Sequence, residues 1–291
     1  MIGRMKSRNI QRTAHRRAKA ALVLAIAAVT AVACSSSPTG RSQMIFKSDE
    51  ALEAEAAKAF AEYRATYPLE TDRATIDYVH CVATAVVDSL EPDLRNKNWE
   101  MSIFDDDTVQ AFAMPGGKIG VHNGLLKAAQ NQDQLAAVIG HEIAHVTSRH
   151  MNEDVSRSMM SGVGIQVMAI VLGGGHSGAT YTAYEALQAG AVLGLNLPFS
   201  RAQETEADVV GLQYMANAGF DPRESVPLWQ HMMAEAGGEA PPEFLSTHPS
   251  GDTRIDSLVS QWSSTLPLYN EAIEAGRRPN CVPPAEKIEP E

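Results

Sequence analysis

Three things are scarce in this chain of 291 residues: long apolar runs, cysteine, and basic charge beyond its beginning. The most apolar early stretch, Ala20 to Ala33, is about fourteen residues long, short of the roughly twenty that a membrane-spanning helix needs. Three cysteines, Cys34, Cys81 and Cys281, are too few for a disulfide framework. Of the 24 basic residues, seven stand before residue 34; the remaining 17 face 35 acidic ones, a net charge of −18. Such a domain has no electrostatic footprint for nucleic acid or anionic headgroups. No internal repeat is visible, which excludes a solenoid.

The short apolar run follows Arg4, Lys6, Arg8, Arg12, Arg16, Arg17 and Lys19 and ends in Ala-Val-Ala before Cys34. This is the layout of a cleaved export signal, residues 1–33, with small residues before a cysteine as in a bacterial lipobox. Cys34 is therefore expected to carry the lipid, and residues 34–47 to act as a polar tether. Export would leave Cys81 and Cys281 in an oxidising compartment, free to form a disulfide.

The chemistry is expected in the stretch Asn131 to Met151, NQDQLAAVIGHEIAHVTSRHM. Leu135, Val138, Ile139 and Ile143 recur at helical spacing, so His141 and His145 share a face one turn apart. That spacing lets both imidazoles reach one zinc ion, and Glu142, rotated about 100°, falls beside the metal as a general base. A second helix begins at Ser200, capped by Gln203, and stops at Gly219. On it Glu204 and Asp208 lie four apart, suited to supply a third ligand and a carboxylate for the free N–H of an imidazole. A solvated acidic face is the competing reading of Glu204, Glu206 and Asp208.

Trp99 to Phe104, Thr108 to Met114 and Lys118 to Val121 read as strands of a small antiparallel sheet, with turns at Asp105-Asp106-Asp107 and Pro115-Gly116-Gly117. An exposed edge would accept an extended peptide as a further strand. His122 and His150 read as packing or hydrogen-bonding histidines, with His150 continuing the metal helix. Val163 to Leu172 and Gly173 to Gly175 read as a core helix or a cover over the cleft.

Four blocks, FAMPGGKIGVHNGLL from Phe112, HEIAHVTSRH from His141, SRAQETEADVVG from Ser200 and STHPSGDTRI from Ser246, resemble the membrane-associated gluzincin zinc metalloproteases, the family of HtpX, BepA, LoiP and the CaaX prenyl protease. The short LoiP-like lipoprotein type is the most similar in layout. The resemblance implies an α+β fold, mostly helical, with a small antiparallel sheet beside the HExxH helix, over residues 48–270, followed by a Pro-rich tail, 271–291. It implies one Zn²⁺ held by His141, His145 and Glu204, with Glu142 as base and Asp208 behind a ligand. His248 would approach from a loop, as oxyanion donor or as an inhibitory ligand, with Arg254 orienting that loop or binding a substrate carboxylate. Ala111, Phe112 and Ala113 would line the substrate strand. The expected function is a zinc endopeptidase acting on unfolded or misassembled envelope proteins at the periplasmic face, lipid-anchored to the outer membrane in preference to the inner. A restrained chaperone or assembly factor that binds such proteins without cleaving them is the alternative.

Overall fold

The computed structural model describes residues 34–160, 199–235, 243–248 and 253–284. The expected export signal and the expected cleft cover at 163–175 lie outside the described residues.

The chain opens with a hairpin of β1 (Cys34–Ser36) and β2 (Ser42–Met44), paired antiparallel with Ser35 opposite Gln43. The free tether expected here is thus replaced by folded chain, because polar side chains of the hairpin find partners on the domain. Two helices follow. α1 (Asp49–Thr66) is capped by Ser48 and α2 (Arg73–Asp88) by Asp72, whose carboxylate accepts from Thr75 N. A single turn, α3 (Pro92–Arg95), leads into the sheet.

The sheet differs from expectation. β3 (Glu100–Phe104), β4 (Ala111–Met114) and β5 (Lys118–His122) are ordered β3-β5-β4, with β3 parallel and β4 antiparallel to β5. The sheet is mixed because the acidic turn carries the chain past β3 without a hairpin, and β5, buried at every position, takes the centre. Alternation along a strand does not encode which neighbour it pairs with. The tight turn between β4 and β5 uses Gly116 and Gly117 at φ 79° and 76°, where other residues are strained.

After α4 (Leu125–Ala128), the metal-motif helix α5 (Gln132–Thr147) starts from Asn131, whose side chain accepts from Gln134 N. It ends before the expected Met151. Arg149 takes φ 59°, breaks the helix and starts α6 (His150–Met160) in a new direction. α7 (Arg201–Ala218) has the full capping box of Ser200 and Gln203 and ends at Gly219, φ 91°. A 3₁₀ turn (Pro222–Glu224), α8 (Ser225–Glu235), α9 (Glu243–Thr247) and α10 (Arg254–Glu274) complete the elements among the described residues. α10 runs through Pro267 to Glu274.

The core forms where α2, α5 and α7 meet one face of the sheet: Val79, Val82 and Val86 pack with Leu135, Ile139, Ile143, Met215 and Val121, all fully buried. Fully burying each such side chain contributes about 1.5–3 kcal/mol. Cys81 on α2 is bonded to Cys281, with Cα atoms 5.7 Å apart across a sequence separation of 200. The start of the tail therefore lies against the domain, and Cys281 N donates to Gln132 Oε1 at 2.8 Å. Among the described residues, no helix is long and apolar enough to cross a membrane.

Candidate metal centre

α5 and α7 cross at two glycines. A Cβ added to Gly211 would stand 2.8 Å from His141 N, and one added to Gly140 would stand 2.8 Å from Gly211 O. Only hydrogen at both positions permits this approach. Gly140 directly precedes His141 and Gly211 lies two turns beyond Glu204, so the crossing sets the ligand helices against each other.

His141, His145, Glu204 and His248 converge, and their ligand atoms lie within 4.8 Å of one another. All four are at most 3% exposed. Nε2 of His141 and His145 are 3.0 Å apart. Glu204 Oε2 is 3.4 Å from His141 Nε2 and Glu204 Oε1 is 3.5 Å from His145 Nε2. Nδ1 of His248 lies 3.3 Å from His141 Nε2 and 3.2 Å from Glu204 Oε1. Donors about 2.0–2.1 Å from a tetrahedral ion stand roughly 3.3 Å from one another, the spacing found here. Glu204 Oε2 and Glu142 Oε1 are buried without a hydrogen-bond partner. Orphaned carboxylate oxygens among imidazole nitrogens fit a divalent cation.

Asp208 sits behind His141, with Oδ1 3.0 Å from its Nδ1. Arg254 donates to the same oxygen at 2.6 Å, and its guanidinium carbon lies 3.4 Å from the centre of the Trp229 ring. Arg254 is thus buried and bound to Asp208, not open to a substrate carboxylate. Glu142 holds one oxygen, Oε2, at 3.1 Å from the N–H of Ala113, which donates, and turns Oε1 toward His248 Nε2 at 3.3 Å. His248 is positioned by α9, where its N–H donates to Phe244 O at 2.9 Å, and by the Phe244 ring stacked 4.4 Å from its own.

Charge follows burial. Desolvation alone pulls the His141 imidazole down, but its hydrogen bond to Asp208 and the negative charge of the neighbouring Glu204 outweigh this and raise it to about 9. His145 has less compensation, and burial drives it well below its usual value. Burial also raises Glu142, making it a stronger base. Glu204 is the opposite case: His248 and His141 overcome its burial and hold it ionised.

Of the expected substrate residues, Ala113 reaches the site through its N–H and lines a groove that continues past Pro115 and Gly116 to His145 and Thr147. Ala111 joins the main core, while the Phe112 ring turns the other way, against Phe60, Phe104 and Tyr63. His122 takes a hydrogen-bonding place beside Tyr63 Oη, 2.9 Å from its Nε2. Sequence reasoning missed the glycine crossing and the grip of Arg254 on Asp208. Two glycines inside otherwise regular helices were the available signal for the first.

Fold and cluster define a class: a zincin-type scaffold whose HExxH helix is met by a second, Glu-bearing helix. The chain matches the description "Peptidase family M48" over residues 73–261, and it belongs to that family. It is 34% identical over 186 residues to the mitochondrial metalloendopeptidase OMA1 of Arabidopsis thaliana, covering 63% of this chain and 36% of that protein. Against the Schizosaccharomyces pombe protein of the same name it is 39% identical over 173 residues, 58% of this chain and 48% of the other. The beta-barrel assembly-enhancing protease of Escherichia coli is 28% identical over 218 residues, 73% of this chain and 44% of the other. The chain thus spans less than half the length of each.

Proposed function

We propose that this chain is a zinc-dependent endopeptidase that cleaves unfolded or misassembled proteins of the bacterial envelope. One observation carries the reading: two imidazoles and a carboxylate from separate helices meet at tetrahedral spacing, with Glu142 beside them. His141, His145 and Glu204 would hold the ion, and this donor set suits zinc. Bound zinc would polarise a peptide carbonyl and make water nucleophilic near neutral pH.

Glu142 is built to move the proton. Ala113 N–H fixes one oxygen, burial raises the basicity, and the other oxygen faces the cluster, so the carboxylate takes a proton from attacking water and passes it to the leaving amine. Asp208, held by Arg254, keeps the proton on Nδ1 of His141, so that zinc binding would displace the proton from Nε2 and take that nitrogen as its ligand. An extended peptide would lie along the outer edge of β4, through backbone contacts at Ala111 to Ala113, a mode that tolerates many sequences. The groove beside Ala113 and His145 supports that path.

His248 supports a second reading. Its Nδ1 takes the fourth corner of the cluster, where water would otherwise enter, so this arrangement is a restrained one. Activation then requires α9 to withdraw; a chain in which it never does would bind unfolded proteins without cutting them.

The envelope assignment rests on the basic and apolar residues before Cys34, on the Cys81–Cys281 bond, and on the likeness to the beta-barrel assembly-enhancing protease of Escherichia coli. We place the lipid on Cys34 and the enzyme on the periplasmic face of the outer membrane, as a lipoprotein of the LoiP type. Casein and an unfolded porin test both readings. Cleavage by the wild type that falls by about 10²–10⁴ in Glu142→Gln, with the metal retained, supports the peptidase. Binding without cleavage, unrelieved by His248→Ala, supports the restrained chaperone and removes the peptidase reading.

A further inference from the structure

The two helical imidazoles are held from behind in different ways. His141 meets a carboxylate directly. His145 does not: its Nδ1 lies 2.9 Å from Nδ1 of His150, and His150 Nε2 lies 3.1 Å from Glu206 Oε2. His150 is 0% exposed and Glu206 is 3% exposed. This contact exists because Arg149, at φ 59°, turns the chain between α5 and α6 and swings His150 back over His145.

The geometry leaves one consistent set of tautomers. His145 turns Nε2 to the cluster, so its proton sits on Nδ1 and is donated to His150 Nδ1. His150 then carries its own proton on Nε2 and donates it to Glu206. Two neutral rings in series end on one carboxylate.

That carboxylate is gripped by the N-terminal hairpin. Thr39 Oγ1 donates to Glu206 Oε1 at 2.5 Å and Arg41 Nε donates to Oε2 at 3.0 Å. The other end of the Arg41 guanidinium makes two bonds to Glu153, at 2.8 and 2.7 Å. Gln43 Nε2 donates to Ser148 O at 2.6 Å, next to the Arg149 turn.

We propose that His150 and Glu206 are positioning residues that aim His145 at its metal ion, and that Thr39 and Arg41 clamp the far end of this relay. Metal retention then depends on a hairpin that precedes residues 73–261, the part matched to the peptidase family. The inference rests on the reading that the cluster binds zinc. A hairpin pulled away by a partner or cut by another protease would loosen His145 without touching the cluster itself.

The test uses the full chain loaded with zinc, measured by chelator competition, and with cobalt(II), whose visible spectrum reports ligand geometry. Glu206→Gln keeps the shape of the side chain, and Arg41→Ala empties the clamp. Each is expected to bind one ion with affinity lowered about 10–100-fold, with an altered cobalt spectrum, and Arg41→Lys is expected to restore part of the loss. Phe60→Leu, in the separate aromatic cluster, controls for lost stability alone: it should lower Tm and leave affinity and spectrum unchanged. A loss under about fivefold in both Glu206→Gln and Arg41→Ala, with an unchanged spectrum, overturns the relay. Absence of metal uptake by the wild type overturns the zinc reading beneath it and the relay together, an outcome distinct from uptake that ignores the relay.

Discussion

Gly211→Ala is a one-carbon perturbation whose effect can be worked from the backbone. The new Cβ would lie 2.8 Å from His141 N and 2.9 Å from both Gly140 C and His141 Cα. Carbon atoms rest about 3.5–4.0 Å apart, and every atom met here is main chain, so no side chain can turn aside. α5 and α7 must separate by roughly 0.7 Å or more at the crossing. Overpacking of this kind costs about 1–3 kcal/mol, against about 0.8–1 kcal/mol returned by replacing glycine inside a helix. The net, about 0–2 kcal/mol, corresponds to a fall in Tm of at most roughly 8 °C. The ligands feel it more sharply, because Glu204 moves with α7 while His141 and His145 stay on α5, and metal sites tolerate only about 0.2 Å in each distance. We expect zinc affinity to drop at least about tenfold while the fold, by circular dichroism, is kept. Unchanged affinity with an equal or higher Tm would mean that the helices do not meet at these glycines, and the account of how the site is assembled would fail.

Other consequences are as direct. His248→Ala is expected to raise casein cleavage several-fold, since it empties the fourth corner of the cluster; loss of cleavage with metal retained would instead make His248 an oxyanion donor. Reducing the Cys81–Cys281 bond, or replacing both with serine, is expected to remove about 2–5 kcal/mol in urea unfolding, because the link spans a separation of 200 residues. Arg41 holds the Glu153 carboxyl below its ordinary value against the opposing effect of burial. Its pairing thus stabilises the fold above the normal carboxylate range and is lost as pH falls below it. The gap in Tm between wild type and Glu153→Gln should be full near neutral pH and close below about pH 4, and a gap that widens on acidification would contradict the sign.

Much of the site was legible because its residues lie at local, periodic spacing. His141 and His145 share a helix face by number alone, and Ser200, Gln203 and Gly219 mark both ends of the helix that carries Glu204 and Asp208. The strand order was not legible, since alternation in Glu100 to Phe104 fits a parallel neighbour as well as an antiparallel one. The break at Arg149 was hidden as well. No glycine or proline marks it, and its left-handed backbone is held by tertiary contacts, the guanidinium bonding Asp49 Oδ1 at 2.8 and 3.0 Å. Residues 34–47 read as a tether because their polar side chains look solvent-bound; only the fold reveals that Thr39 and Arg41 have buried acceptors. Arg254 failed for the same reason, its partners Asp208 and Trp229 being set by packing of α10 and not by sequence distance.

The proposed function requires α5 and α7 together to hold one zinc ion. A crystal of the zinc-loaded protein, with anomalous scattering recorded on both sides of the zinc edge, tests it directly. One strong peak per chain is expected, about 2.0–2.2 Å from His141 Nε2, His145 Nε2 and a Glu204 oxygen. No peak there, or an ion bound elsewhere with Glu204 turned away, would contradict it.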